Sequence, residues 1–264
     1  MSLVDLGEIS INIQDTGTGT SIVLVHGIGL NGDGWINQVP LFAEKHRVVA
    51  VDLRGFGKSS KPTAPGSYAI DNFANDIIAL VEKLGIAPMH YVGTSLGGFI
   101  GQAVALRRPD LCRSLSLCHT ASVTDIPAKV REVRLKTLRK KSMTQYAHLV
   151  CDQALAVHVR PAVHEWLCDI IAGNDREVYA QAFTEGLQGF DVRQQVRSIR
   201  IPTLVLTGEL DRVIPPEGGR ETAALIPGAR LVEIAGVGHI SYLEQPHEFN
   251  DTVLGFIDEV DRQS

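Results

Sequence analysis

Short apolar runs recur along the chain, and they set its predicted architecture. Each run is rich in valine, isoleucine or leucine, and most are closed by glycine or a polar residue. Runs of this kind are typical of strands in a parallel sheet that is covered on both faces. Segment 8–14 alternates polar and apolar residues instead, which predicts an antiparallel edge strand with one wet face. The predicted buried strands are 22–25, 48–51, 89–92, 115–118, 203–206 and 231–234.

Helical spacing of apolar residues fills several of the intervals between these strands. One stripe covers 73–84, with Asp71 as the expected N-cap and Gly85 as the expected stop. Two further stripes, over 99–106 and 249–260, predict two more helices. Strands and helices therefore alternate, which predicts an α/β fold with a mostly parallel, doubly wound sheet.

The alternation stops between residues 121 and 199. This segment has helical stretches but no strand-like run. A basic cluster over 129–141 is expected to form a solvated helix face. We interpret 121–199 as a helical cap inserted into a core that is formed by 1–120 and 200–264.

Composition excludes several classes of function. The chain has 264 residues, of which 44% are hydrophobic and 21% charged, as expected of one larger α/β unit. Its formal net charge of −5 argues against nucleic acid and against an anionic membrane surface as partners. No apolar run reaches the length of a membrane span, and the first residues lack the pattern of a secretory signal. We therefore expect a cytoplasmic protein.

The four cysteines show no CxxC pair and no spacing typical of a metal site. They are expected to be buried or partly buried free thiols. These residues are Cys112, Cys118, Cys151 and Cys168.

The strongest chemical signal is a Gly-Thr-Ser-Leu-Gly sequence centred on Ser95. It lies between the predicted strand 89–92 and the predicted helix 99–106, which is the context of a G-x-S-x-G nucleophile elbow. Small residues two positions before and after the serine permit the tight turn that lifts the hydroxyl above the sheet. Ser95 is therefore the predicted nucleophile, and the amide of Leu96, directly after it, is a predicted oxyanion donor.

A serine nucleophile needs a base, and the base needs an orienting acid. His239 is the best-placed histidine, because it follows the last predicted strand at the sheet edge where open α/β folds bind ligands. Asp211 and Glu209 both follow the predicted strand 203–206, and either carboxylate can serve as the acid. The other histidines lack the placement of His239, and those in the cap are expected at the surface or in packing: His26, His46, His90, His119, His247, and in the cap His148, His158 and His164.

Further site residues are expected near the first buried strand and in the cap. The glycine-rich segment after 22–25 offers the second oxyanion donor, for which the Ile28 amide is the first choice and Gly29 the fallback. Gly29 and Trp35 are also candidates for substrate contact. Arg131 and Arg134 are three positions apart, so they can share a helix face and bind an anionic substrate.

Together these motifs resemble the α/β-hydrolase superfamily. The resemblance rests on 26–29, the turn 52–59, the elbow 93–98, Asp211 and the pair 238–239, and it covers most of the chain outside the cap. It implies an α/β-hydrolase fold with an inserted helical cap. It also favours Asp211 as the orienting acid, and it implies neither a metal nor an organic cofactor.

Within the superfamily the chain is most similar to 3-oxoadipate enol-lactonases and their esterase relatives, over 93–102 and 239–246. This similarity implies hydrolysis of a small carboxylic ester or lactone, the expected partner, through an acyl-enzyme on Ser95. It argues against dehalogenase or epoxide hydrolase chemistry, because those relatives carry aspartate at the position of Ser95. A carbon–carbon bond hydrolase, a perhydrolase, a non-catalytic ligand receptor and a homo-oligomer are left open.

Overall fold

The computed structural model describes residues 1–124, 126–156 and 159–263, so His158 of the cap lies outside the described residues. One eight-stranded sheet runs through this part of the chain, with the strands in the order β1-β2-β4-β3-β5-β6-β7-β8. The strands are β1 Ser2–Asp5, β2 Ser10–Thr16, β3 Ser21–Val25, β4 Arg47–Val51, β5 Met89–Thr94, β6 Cys112–Cys118, β7 Thr203–Gly208 and β8 Arg230–Ile234.

The sheet is parallel from β4 to β8 and antiparallel at β1 and β2. All six predicted strands lie within β3 to β8. The mostly parallel, doubly wound sheet is therefore confirmed. The prediction that 231–234 is buried is wrong, because β8 is an edge strand in which Leu231 is exposed and only Ile234 is buried. Adjacent strands leave their carboxyl ends at one edge, where loops from several strands meet.

The expected edge strand 8–14 corresponds to β2, and its antiparallel direction is as predicted. The prediction that it forms the edge is wrong, because β1 pairs along its outer side with Val4 opposite Ile11. Both Ile11 and Asn12 are buried in consequence. Burial of Asn12 is tolerated because its side-chain amide donates to Asp52 over 2.8 Å.

Helices cover both faces of the sheet. The stripe 73–84 belongs to a helix that begins after Ala69, so Asp71 lies in the first turn and is not the N-cap. Gly85 ends this helix in the left-handed region, at φ +62°, as predicted. The helices are α1 Val39–Phe42, α2 Ile70–Leu84, α3 Leu96–Arg107, α4 Ala128–Lys140, α5 Met143–Ala154, α6 Pro161–Ala172, α7 Arg176–Gly186, α8 Pro216–Leu225, α9 Ser241–Glu244 and α10 Pro246–Gln263.

The segment between β6 and β7 holds α4 to α7. Its described residues contain no strand, only an isolated antiparallel bridge between Val123 and Asp191. Leu138 of α4, Leu167 of α6 and Tyr179 of α7 belong to the same buried cluster as the residues of the sheet. The helical nature of this segment is thus as expected, while its division from the core at 121 and 199 stays a prediction.

Two expectations from composition can be compared with the structure. No helix in the described ranges is both long and apolar enough to cross a bilayer. All four cysteines are buried and free, as predicted.

The carboxylate of Asp52 joins three backbone segments beneath the loops that carry the site. Asp52 follows β4 and is only 5% exposed. It accepts hydrogen bonds from the amide of Gly32 at 2.7 Å, the amide of Lys58 at 2.8 Å and the side chain of Asn12 at 2.8 Å. A buried acceptor with several donors leaves all of them unpaired when it is removed.

We therefore expect Asp52→Ala to lower the free energy of unfolding by about 3 kcal/mol, because two buried donors and one partly buried donor lose their acceptor. Urea unfolding followed by circular dichroism measures this change. Asp15→Ala is the matched control, because Asp15 forms a partly exposed ion pair with Arg47 at 2.7 Å. The control should cost less than about 1 kcal/mol, and equal losses in the two variants would contradict the role given to Asp52.

Candidate active site

Ser95 occupies the sharp turn between β5 and α3. Its backbone has φ +52° and ψ −115°, a region that residues with a side chain rarely adopt. Hydrogen bonds hold the turn: the Ser95 amide donates to Cys118 O at 2.9 Å, and the Gly98 amide donates to Ser95 O at 2.8 Å. The strained turn therefore has the geometry that the elbow sequence predicts.

The glycines on either side of Ser95 allow the strand and the helix to approach each other. A Cβ on Gly93 would overlap the carbonyl oxygen of Gly97, and a Cβ on Gly97 would overlap that of Val25, at the end of β3. Both obstacles are backbone atoms, which no side-chain rotation can move away. Small residues are thus a steric requirement at these two positions.

His239 and Asp211 come together at the carboxyl edge of the sheet. His239 lies after β8 and Asp211 after β7, and His239 Nδ1 donates to Asp211 Oδ2 over 2.7 Å. The other carboxylate oxygen accepts from the amides of Val213 and Ile214, each at 2.9 Å. The two amide bonds fix the carboxylate. The carboxylate in turn fixes the imidazole ring through Nδ1, so Nε2 is not bonded to Asp211.

The charge of Asp211 is stabilised although the residue is only 4% exposed. Burial alone raises the pKa of its carboxyl group, but the charge of His239 and the hydrogen bonds from His119 and His239 outweigh burial. The pKa is therefore held well below its usual range, and Asp211 is ionised at neutral pH.

Glu209, the alternative acid, lies apart from the imidazole. Its carboxylate is exposed and accepts from the amide of Gly236 at 2.9 Å, which fixes the loop after β8. Of the two carboxylates that follow β7, the structure brings only Asp211 to His239.

His119 is a member of this cluster that the sequence interpretation missed. It is fully buried after β6, and its Nδ1 donates to the same Asp211 oxygen at 3.2 Å. Its Nε2 accepts from the hydroxyl of Ser241 at 2.7 Å. Burial lowers the pKa of His119, so it supplies Asp211 with a second, uncharged donor. Its place directly after a predicted strand, next to the strand that carries Asp211, was the signal that could have found it.

Ser95 and His239 both line a cavity of about 520 Å³ between the sheet edge and the cap. Ile28 lines the cavity as well, in a turn where the Leu30 amide donates to Gly27 O at 3.3 Å. Most of the other lining residues are apolar, and they include Phe99, Val130, Val150, Ile171, Phe183 and Val213.

The two predicted oxyanion donors come from different parts of the chain, and both segments lie beside Ser95. Leu96 begins α3, so its amide is among the first amides of the helix, which find no acceptor within it. The turn that carries Ile28 lies against Ser95, since a Cβ on Gly27 would be 3.1 Å from Ser95 Cβ. The start of α3 and the turn of Ile28 are therefore both close to Ser95.

Gly29 and Trp35 do not line the cavity. A Cβ on Gly29 would overlap the ring of Tyr179, and its carbonyl accepts from Asn174 at 2.8 Å, so it lets the cap pack on this loop. Trp35 is fully buried and lies under Tyr242, with ring centroids 4.5 Å apart. Its contact with the cavity is indirect, because Tyr242 and not Trp35 forms the wall.

The two cap arginines have different positions. Arg134 lines the cavity, whereas Arg131, one turn earlier on α4, does not. Arg134 donates to the Gln153 side chain at 2.6 Å and lies 5.7 Å from the centre of the Phe183 ring, so both contacts are with uncharged groups. Arg212 is a second cation in the cavity wall that the sequence interpretation did not name.

The chain is similar in sequence to proteins of one known family. A model of the alpha/beta hydrolase fold family matches residues 20–144 and 168–246. The chain is 31% identical to 3-oxoadipate enol-lactonase 2 of Acinetobacter baylyi, over 88% of this chain and 86% of that protein. It is also 31% identical to a protein of Pseudomonas savastanoi provisionally named carbamate hydrolase RutD, over 89% and 93%.

A solved structure extends the similarity to three dimensions. The enol-lactonase from Burkholderia xenovorans LB400 superposes with a TM-score of 0.91 at 30% identity, and the match covers 97% of this chain and all of that one.

We expect Gly97→Ala to destabilise the fold by about 3 kcal/mol, because its Cβ would overlap the backbone of β3. Gly255→Ala is the matched control, since Gly255 lies inside α10 with nothing within 4 Å of its Cβ position. The control should instead stabilise the protein by about 0.5–1 kcal/mol. Thermal and urea unfolding of both variants measures the difference, and opposite signs are the expected result.

Proposed function

We propose that this chain, which belongs to the α/β-hydrolase fold family, cleaves a small carboxylic ester or lactone through an acyl-enzyme on Ser95. One observation carries the proposal. Ser95, on its strained turn, borders the same cavity as His239, whose ring is hydrogen-bonded to the buried carboxylate of Asp211. A nucleophile, a base and an orienting acid are the groups that acyl transfer requires.

In the first half of the proposed reaction, His239 Nε2 accepts the proton of the Ser95 hydroxyl as the oxygen attacks the substrate carbonyl. The amides of Ile28 and Leu96 stabilise the negative charge that develops on the carbonyl oxygen. His239 then donates its proton to the departing alkoxide, and the acyl group remains on Ser95.

In the second half, His239 activates a water molecule that attacks the acyl-enzyme. The acid is released, and the proton returns to Ser95. Asp211 remains ionised throughout, because its four hydrogen bonds stabilise the carboxylate, and it stabilises the imidazolium that forms twice in each cycle.

The cavity favours a substrate that is apolar over most of its surface and carries an anionic group. Arg134 and Arg212 are cations in a wall that is otherwise largely apolar, and Glu217 is an acidic side chain of the same wall. The charge of Arg134 is directed to uncharged neighbours, so an anionic substrate group can pair with it. Similarity to enol-lactonases supports the same substrate class.

A small carbamate is a second candidate substrate, favoured by the 31% identity to the protein named carbamate hydrolase RutD. Attack by Ser95 on a carbamate carbonyl uses the same groups in the same order. A panel of p-nitrophenyl esters, lactones, carbamates and cleavable diketones distinguishes these substrates from the carbon–carbon bond alternative.

We expect Ser95→Ala to lower turnover of the preferred ester by about a million-fold, because the nucleophile is removed. Ser116→Ala is the matched control: Ser116 is buried in β6, and within the described ranges its hydroxyl has no hydrogen-bond partner. The control should keep nearly all activity. Steady-state kinetics and a trapped acyl-enzyme in mass spectra give the readout, and an active Ser95→Ala enzyme would refute the proposal.

We expect Arg134→Gln to raise KM for an anionic ester about ten-fold, the loss of roughly one charge-assisted hydrogen bond. KM for a neutral ester of the same size should change little. Arg131→Gln removes a charge from the same helix away from the cavity, and it should alter neither value. Equal effects on the anionic and the neutral ester would show that Arg134 does not bind the anionic group.

A further inference from the structure

Helices α5 and α6 of the cap bring together two histidines and a cysteine that the proposed reaction does not use. His148 lies on α5, and His164 and Cys168 lie one turn apart on α6. Cys168 Sγ is 3.5 Å from His148 Nδ1 and 3.6 Å from His164 Nδ1. The three atoms all lie within 4.8 Å of one another, and the two imidazole rings are stacked.

These distances are those of a metal site. A tetrahedral zinc ion has Zn–S bonds of about 2.3 Å and Zn–N bonds of about 2.0–2.1 Å, which place bound sulfur and nitrogen about 3.6 Å apart. Both measured sulfur–nitrogen distances agree with that value. Thiolate and imidazole are also the ligands that zinc and related ions prefer.

An outer hydrogen bond orients one of the histidines for this role. His164 Nε2 donates to the carboxylate of Asp152 over 2.9 Å. With the proton held on Nε2 by this bond, Nδ1 is the nitrogen that faces Cys168, and it also lies 3.7 Å from the carboxylate of Glu165. Metal-binding histidines almost always have such a partner on their second nitrogen.

The surroundings also favour a cation. Asp152, Glu165 and Asp169 lie near enough to Cys168 for their negative charges to act on its sulfur. The same negative charges attract a divalent ion. Cys151 of α5 hydrogen-bonds Cys168, so a second thiol adjoins the three atoms.

We propose that His148, His164 and Cys168 bind a single zinc-type transition-metal ion, with water as the fourth ligand. Binding forms one metal–sulfur bond and two metal–nitrogen bonds, and the Cys168 thiol releases its proton to solvent. No electron is transferred. The ion crosslinks α5 to α6.

This site is distinct from the candidate active site. His119, Asp211 and His239 also offer three ligand atoms within 4.8 Å of one another, but that group contains no cysteine. The two proposed histidine ligands, His148 and His164, and the neighbouring Cys151 fall outside the two ranges matched by the family model. Cys168 is the first residue of the second range. The sequence interpretation expected no metal, because it followed the resemblance of the core.

Cobalt titration tests the proposal. The full-length protein is treated with a chelator, kept in a non-thiol reductant and titrated with Co²⁺ alone. We expect one Co²⁺ per chain, the absorption of a tetrahedral ion and a thiolate-to-cobalt charge-transfer band that Zn²⁺ abolishes. Only a site with a cysteine gives that band, so cobalt in the active-site cluster would be recognised by its absence.

Variants with matched controls locate the ion. Cys168→Ser should remove the charge-transfer band and weaken Co²⁺ binding more than about 100-fold, and Asp152→Asn should keep the band but weaken binding about 10- to 100-fold. Cys112→Ser and His247→Ala remove a buried cysteine and an exposed histidine elsewhere, and they should change neither quantity.

Circular dichroism checks that each variant is folded. Should Cys168→Ser fail to fold, His148→Ala at a half-buried position takes its place, with the same loss of affinity expected. The proposal is overturned by wild-type protein that binds no Co²⁺, by binding without the thiolate band, or by a folded Cys168→Ser protein that retains the band. Activity is not measured, so the outcome is independent of the proposed hydrolysis.

Discussion

The close approach of α3 to the ends of β3 and β5 is the constraint on which the candidate site depends. Two glycines allow it, and the buried hydroxyl of Tyr91 stabilises it by donating to Gly97 O at 2.6 Å. The approach forces Ser95 to a positive φ and aims the start of α3 at the cavity. The proposed nucleophile and the proposed oxyanion donor at Leu96 therefore arise from one backbone feature, since the helix that begins after the serine supplies the unpaired amide.

The parallel sheet explains how the remaining groups converge. His119, Asp211 and His239 follow β6, β7 and β8, which are neighbours in the sheet, so their side chains meet although they are far apart in the chain. Asp211 joins them, with one oxygen for two imidazoles and the other for two amides. A carboxylate with this many donors is rigid and ionised, which is what an orienting acid must be.

Sequence pattern predicted β3 to β7, which are buried on both faces, because burial leaves a continuous apolar run, and it also found β8, although that edge strand is largely exposed. It missed β1, where Leu3 is 63% exposed and no such run exists. Ser95 and His239 could be named from motifs and strand ends, and Asp211 could be chosen over Glu209 from the family resemblance. The contact of His119 with Asp211 depends in addition on the pairing of Cys118 with Leu206. Trp35 was wrongly expected to contact the substrate, because its burial under Tyr242 is a tertiary contact that the sequence does not show. The cap arginines could be grouped by spacing, yet only packing separates Arg134 from Arg131.

The two cations of the cavity wall and the loop that carries His239 both contact α5. Gln153 of this helix accepts from Arg134 at 2.6 Å and donates to Arg212 O at 3.3 Å, so one side chain joins the two cations of the cavity. The next residue, Ala154, accepts from the amide of His239 at 2.6 Å. A displacement of α5 would therefore move both cations and the loop of the imidazole together. Since these contacts are made by adjacent residues of one helix, α5 couples the proposed anion-binding residues to the proposed base.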